Sequence, residues 1–117
     1  MAYEIKSIEG FREISQLKNV VLFHFWAEWN GTDYLMKKLL AELEQELAKK
    51  VTFASVDVDN EKMYDFFRNI PIVNVPTLIY YKNRDKISID IGFDTKQLTK
   101  EKEKISQKLK SLFDFDE

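Results

Sequence analysis

The chain has 117 residues, 44% hydrophobic and 32% charged, with a net charge of −2, one histidine and no cysteine. This length fits one domain, and the small net charge gives no reason to expect binding to nucleic acid or to a membrane surface. The absence of cysteine excludes disulfide exchange, thiolate nucleophiles and cysteine-ligated metal within the chain, and we expect no cofactor and no metal.

The first third of the chain predicts a strand, a helix and a buried strand. Residues 2–6 are predicted to form a short edge strand. Ser7 is predicted as the N-cap of a first helix, because apolar residues follow it at intervals of three and four. Residues 20–26 form an apolar run rich in β-branched and aromatic side chains. A run of this length and composition is typical of a strand buried on both faces.

A long helix and a further strand are predicted next. From Leu35 to Leu47, leucines recur every four residues and form the apolar stripe of a helix. Residues 51–58 alternate, which predicts a strand with Val51 and Phe53 on one face and Ala54 and Val56 on the other.

The rest of the chain predicts a short helix, a hairpin and a final helix. Asn60 is predicted to cap the short helix, and residues 70–76 are predicted as a loop because of their two prolines. Residues 77–81 and 86–91 are predicted to pair as a hairpin. Thr95 is predicted to cap the final helix, whose inward side chains are expected to be Leu98, Ile105, Leu109 and Leu112. The predicted class is α/β, in the order βαβαβα-ββα, with one domain over residues 1–113 and an acidic tail over residues 114–117.

The segment after the buried strand resembles the active-site segment of the thioredoxin family. Trp26-Ala27-Glu28-Trp29 matches the family's Trp-Ala-x-Trp, but Asn30-Gly31-Thr32-Asp33 stands where the family has Cys-Gly-Pro-Cys. Further similarities are Val75-Pro76-Thr77, Lys82-Asn83-Arg84 and Gly92. The resemblance covers nearly the whole chain and implies the thioredoxin fold, a central mixed sheet flanked by helices. The histidine before Phe-Trp-Ala is also similar to the thioredoxin-like domains of multidomain monothiol glutaredoxins.

The two positions that hold cysteines in the family are expected to have structural roles here. Asn30 is predicted to cap the long helix by accepting from the N–H of Asp33, and Asp33 to reach back to the N–H of Asn30. His24 occupies the position at which the family carries a proton-handling aspartate. We expect it to be half-buried and hydrogen-bonded to a neighbour such as Asp33, while a role as a titrating group stays open.

The resemblance also implies a peptide-binding groove. In the family the proline of Val75-Pro76 is cis, and the backbone of the residue before it pairs with an extended substrate. The groove is expected to be lined by Trp29, Val75, Pro76 and Phe93, with Gly92 beside them. Two interpretations stay open: the cis bond is retained to shape the loop, or it is retained because the groove binds peptides.

The function predicted from these residues is noncovalent binding of a protein or extended peptide, without thiol-disulfide exchange. Such a domain is expected to work beside a redox or iron–sulfur protein. One alternative is an oxidoreductase role in cell redox homeostasis, which here requires non-thiol chemistry through His24 and Asp33; another is a purely structural domain. With no membrane span and no signal-peptide core in the sequence, the expected location is the cytoplasm.

Overall fold

The computed structural model describes residues 3–69 and 75–113, which form a mixed sheet with helices on both faces. The predicted tail 114–117, Ala2 of the predicted first strand and residues 70–74 of the predicted loop lie outside the described residues. The strands are β1 (Tyr3–Ile5), β2 (Val20–Trp26), β3 (Val51–Asp57), β4 (Thr77–Lys82) and β5 (Asp85–Ile91). The helices are α1 (Ile8–Ser15), α2 (Gly31–Leu47), α3 (Tyr64–Asn69) and α4 (Leu98–Lys110). A 3₁₀ turn at Glu61–Met63 leads directly into α3.

The sheet has the strand order β1-β3-β2-β4-β5. Strands β1, β3 and β2 run parallel, while β4 pairs antiparallel with both β2 and β5. This order and these directions confirm the predicted βαβαβα-ββα arrangement and the thioredoxin fold. Because β2 is hydrogen-bonded on both sides and covered on both faces, residues 20–25 are all buried. Its carboxyl end therefore emerges at the middle of the sheet, next to the first turn of α2.

The side chains of each central strand divide between two apolar clusters. On the side of α2 and α4, Leu22 and Phe53 pack with residues of both helices. On the side of α1 and α3, Phe23, Ala54 and Val56 pack with residues of those helices. The predicted faces of β3 are thereby confirmed, since the two clusters take alternate residues of each strand. No helix in the described ranges is both long and apolar enough to cross a membrane.

The start of the last helix differs from the prediction. Helix α4 begins at Leu98, and Gln97, which precedes it, makes no side-chain cap bond. The predicted cap Thr95 lies two residues before Gln97, in a turn where Asp94 accepts from the Lys96 N–H at 2.9 Å and from the Gln97 side-chain amide at 2.9 Å. Leu98, predicted to face inward, is 41% exposed, whereas Ile105 and Leu109 are buried as predicted.

Candidate functional site

The site lies where β2 ends and α2 begins, and Asn30 is its first fixed residue. As predicted, Asn30 is the N-cap of α2, although its side-chain oxygen accepts from the Thr32 N–H at 2.9 Å and not from that of Asp33. The side-chain amide of the same residue donates to the Val75 carbonyl at 3.0 Å. Asn30 therefore joins two segments that are 45 residues apart in the chain.

The predicted role of Asp33 as the second half of a capping box is wrong. Asp33 is fully buried, and its Oδ2 accepts from the Ala27 N–H at 3.0 Å. The N–H of Asn30, which Asp33 was predicted to bind, donates instead to the Ala27 carbonyl at 3.1 Å. Asp33 lies in the first turn of α2 on its inward side, so the carboxylate reaches the strand and loop beneath the helix. It therefore anchors α2 to the end of β2.

His24 and Asp33 form a buried hydrogen-bonded pair, as the sequence predicted. The Nε2 of His24 lies 3.3 Å from Oδ1 of Asp33, and His24 is 3% exposed, more deeply buried than expected. Burial lowers the pKa of His24 below its ordinary value of 6.5, and this effect outweighs the hydrogen bond to Asp33, which raises the pKa. His24 is therefore neutral at pH 7. In the tautomer that carries its proton on Nε2, the ring donates to Oδ1 of Asp33.

The arrangement at positions 30 and 33 leaves no group for thiol chemistry. The side chains of Asn30 and Asp33 both take part in hydrogen bonds within the chain. Within residues 3–69 and 75–113, no three histidine, cysteine, aspartate or glutamate side chains come together as a metal-binding cluster. What the site can do is hold the start of α2 in a fixed position beside Val75.

The backbone around Pro76 has the geometry that the resemblance implied. The Val75–Pro76 peptide bond is cis. The Pro76 carbonyl accepts from the Gly92 N–H at 2.9 Å. Gly92 has φ 89°, a left-handed conformation that L side chains rarely adopt and that glycine adopts at little cost. Three of the predicted groove residues, Val75, Pro76 and Gly92, are thus brought together with Asn30.

The two predicted aromatic groove residues have different environments. Trp29 is 71% exposed, and its indole Nε1–H donates to Asp59 Oδ2 at 2.9 Å. Phe93 is half-buried and packs against the apolar cluster under α2 and α4, so part of its ring belongs to the core. Sequence reasoning missed Asp59, whose acceptor role depends on a contact across 30 residues that no local pattern indicates.

A second interaction that sequence reasoning missed lies at the last residue of β2. The Lys37 ammonium lies 3.2 Å from the centre of the Trp26 ring, which is the geometry of a cation–π contact. Lys37 is on α2, so this contact adds a third link between the helix and the end of the strand. The two residues are 11 positions apart, and no pattern in the sequence indicates that Lys37 contacts Trp26.

The chain is similar in sequence to proteins of one known family. The Thioredoxin family model matches residues 4–111. The chain is 30% identical over 84 residues to thioredoxin of Bacillus subtilis, covering 72% of this chain and 79% of that protein. It is 33% identical over 99 residues to glutaredoxin-3 of Homo sapiens, covering 83% of this chain but 29% of that protein.

Solved structures show the same overall arrangement. The structure of Malassezia sympodialis thioredoxin superposes with a TM-score of 0.74 at 26% identity, covering 91% of each chain. Thioredoxin O1 from Arabidopsis thaliana, in its oxidized state, superposes with a TM-score of 0.80 at 23% identity, covering 97% of this chain and 98% of that one. At the two positions where the family carries its active-site cysteines, this chain has Asn30 and Asp33.

Proposed function

The chain belongs to the thioredoxin family, and from this premise we propose that it is a noncovalent protein-binding module without thiol-disulfide exchange. The observation that carries the proposal is the state of Asn30 and Asp33. Both stand at cysteine positions of the family, and both are held by hydrogen bonds within the chain. The residues at these positions stabilise the site, and neither can form a mixed disulfide.

The proposed binding surface is the groove beside Pro76. Trp29 supports it, because a large aromatic side chain that is 71% exposed next to a rigid site is typical of binding surfaces. The hydrogen bond from Trp29 to Asp59 fixes the indole in one orientation, so less side-chain entropy is lost when a partner covers it. We propose that an extended peptide lies along this surface and contacts Trp29.

The Asn30–Val75 hydrogen bond sets a condition for such a peptide. A carbonyl oxygen has two lone pairs, and Asn30 takes one of those on Val75. A peptide that adds as a strand must use the remaining lone pair or displace the Asn30 amide. We therefore expect weaker main-chain pairing at Val75 than at a carbonyl without an internal partner, and a correspondingly larger share of the affinity from Trp29.

The class of partner is also part of the proposal. Similarity to a segment covering 29% of glutaredoxin-3 supports a role beside a redox protein. An iron–sulfur protein as the partner and a cytoplasmic location are proposed from the sequence alone. An oxidoreductase role through His24 and Asp33 is disfavoured, because both side chains are buried and bonded to each other. The remaining alternative is a purely structural domain without a partner of its own, and the experiment described next distinguishes it from a binding module.

The test is capture of a partner by immobilised protein from cell extract, compared among three forms. We expect the wild type to retain a defined partner, Trp29→Ala to lose it, and Lys104→Ala to keep it. Lys104 is a suitable control because it lies on the exposed side of α4, paired with Glu101 at 3.6 Å. Retention by Trp29→Ala together with loss by Lys104→Ala would place the interaction surface on α4. Absence of any specific partner in all three would favour the structural domain.

A further inference from the structure

The surface around Trp29 carries a group of carboxylates. Glu28 precedes Trp29 in the chain, and the indole Nε1–H donates to Asp59 Oδ2 at 2.9 Å, in the turn after β3. The same turn holds Asp57, whose Oδ1 accepts from the Asp59 N–H at 2.9 Å, and leads to Glu61. Glu28, Asp59 and Glu61 are exposed, and Asp57 is half-buried. These carboxylates are therefore grouped at the end of the sheet where the paired strands β2 and β3 finish.

The cations of the neighbouring elements offset only part of this charge. The Lys37 ammonium lies over the Trp26 ring, 3.2 Å from its centre. Arg68 on α3 is paired with Asp65 at 3.0 Å. Lys62, in the 3₁₀ turn, is exposed and follows an acidic residue. The surface around Trp29 thus has an excess of negative charge, which favours a partner of positive charge.

A group of lysines lies at the opposite end of the sheet. Lys18, Lys50 and Lys82 line a small cavity beside Val20, the first residue of β2. Trp29 comes after the last residue of β2, and the seven residues of this strand span about 20 Å. The Debye length at physiological ionic strength is about 8 Å, so these lysines do not neutralise the surface around Trp29.

The indole ring of Trp29 provides the second feature of this surface. The side chain is 71% exposed, and no lysine or arginine in the described ranges lies over its ring, whereas Lys37 lies over Trp26. The face of a tryptophan ring attracts cations more strongly than that of any other side chain. Asp59 is bonded to the indole N–H, so its carboxylate lies at the edge of the ring. A carboxylate has about four lone-pair sites, and the indole takes one of them, so Asp59 can accept further hydrogen bonds.

A guanidinium group matches both features at once. It is planar, stacks on aromatic rings and forms paired hydrogen bonds with carboxylates, whereas an ammonium group is a compact and more strongly hydrated charge. We propose, as a refinement that rests on the proposed function, that the extended peptide bound beside Pro76 is basic and places an arginine on Trp29. The guanidinium group stacks on the indole ring and donates to Asp59, while Glu28 and Glu61 attract other basic residues of the same peptide.

The experiment selects peptides from a random library on the immobilised wild-type protein and counts arginine at each position. We expect one position of the selected peptides to be enriched in arginine over the starting library. In the tightest peptide, replacement of that arginine by glutamine should weaken binding about tenfold, because the ring contact and the pair with Asp59 are both lost. Replacement by lysine should weaken it about threefold, since the charge stays but the stacking plane is lost. Calorimetry measures these affinities.

Two matched variants of the protein test the part that Asp59 plays. Asp59→Asn keeps an oxygen that can accept from the Trp29 indole but removes the charge, and we expect it to bind the arginine peptide about fivefold more weakly. The glutamine peptide should bind the wild type and Asp59→Asn equally, which assigns the loss to the arginine. Asp85→Asn makes the same change on an exposed carboxylate opposite Lys82, at the far end of the sheet, and should leave binding unchanged.

The outcomes separate this inference from the proposed function. Selected peptides that need Trp29 but show no enrichment in arginine would overturn the inference and leave the proposed function in place. Equal binding of the arginine peptide to the wild type and to Asp59→Asn would do the same. If the library yields no peptide, the proposed function fails and the inference fails with it.

Discussion

The side-chain amide of Asn30 donates to the backbone carbonyl of Val75 at 3.0 Å, while the side-chain oxygen of the same residue caps α2. One residue thus ties the start of the helix to the residue before the cis bond at Pro76. At the position where the thioredoxin family places a reactive thiol, this chain has a structural link across the site.

The first prediction separates the two hydrogen bonds of Asn30. Asn30→Ala removes both the cap and the link to Val75, and we expect it to lower the free energy of unfolding by about 2 kcal/mol. Asn30→Ser keeps an oxygen for the cap and loses only the link, so a loss of about 1 kcal/mol is expected. Urea denaturation measures both values. Wild-type stability of Asn30→Ser would show that the link to Val75 contributes nothing, and equal losses in the two variants would show the same of the cap.

The second prediction concerns pH. Burial lowers the pKa of His24 below 6.5, so near and below that pH the unfolded chain binds more protons than the folded one. The contribution of this group to stability is therefore fully present above pH 6.5 and is lost as the pH falls through the lowered folded-state pKa. We expect the free energy of unfolding to decrease as the pH falls below about 6.5.

The control for the pH prediction is His24→Gln. Glutamine does not titrate but can still donate to Asp33. The chain has a single histidine, so this variant removes the histidine contribution completely. Its stability should be lower at pH 7 but should change less over the same range. An NMR titration that gave His24 a pKa above 6.5 would contradict the account of its environment.

The third prediction concerns redox activity. With dithiothreitol as the reductant, the protein should not accelerate insulin reduction above the background rate, because it has no thiol. The double variant Asn30→Cys, Asp33→Cys should recover weak activity at most, since His24 occupies the proton-handling position and Thr32 replaces the family's proline. That variant also removes the acceptor of the Ala27 N–H, so we expect it to be less stable. A clear rate from the wild type would contradict the redox-inactive interpretation.

The elements of this fold could be predicted well where the signal is local. The apolar run of β2 and the leucine repeat of α2 are patterns that lie within a single strand or helix, so each can be recognised locally. The structure has β2 at Val20–Trp26, as predicted. The cap at Asn30 was also predicted, because N-caps depend on the residue type at a single position.

The predictions that failed concern side chains with more than one possible hydrogen-bond partner, and the contacts that were missed join residues far apart in the chain. Asp33 has the spacing of a capping-box residue, but its burial over β2 makes the Ala27 N–H and His24 its partners. Thr95 is a good cap by type, yet α4 begins only at Leu98, after a turn in which Asp94 accepts from the Lys96 N–H. The contact of Trp29 with Asp59 joins residues 30 positions apart. No sequence period reports such a contact, so the Asn30 cap and the His24–Asp33 pair could be predicted, whereas the contact of Trp29 with Asp59 could not.

The central claim is that this chain binds a partner through Trp29 without forming a covalent bond. Its most direct test is to select extended peptides from a random library on the wild-type protein and to measure their affinity for Trp29→Ala by calorimetry. We expect the variant to bind about thirtyfold more weakly, since the loss of a central aromatic contact costs about 2 kcal/mol. Its thermal stability should change little, because Trp29 is 71% exposed. Unchanged affinity, or no peptide selected at all, would contradict the claim.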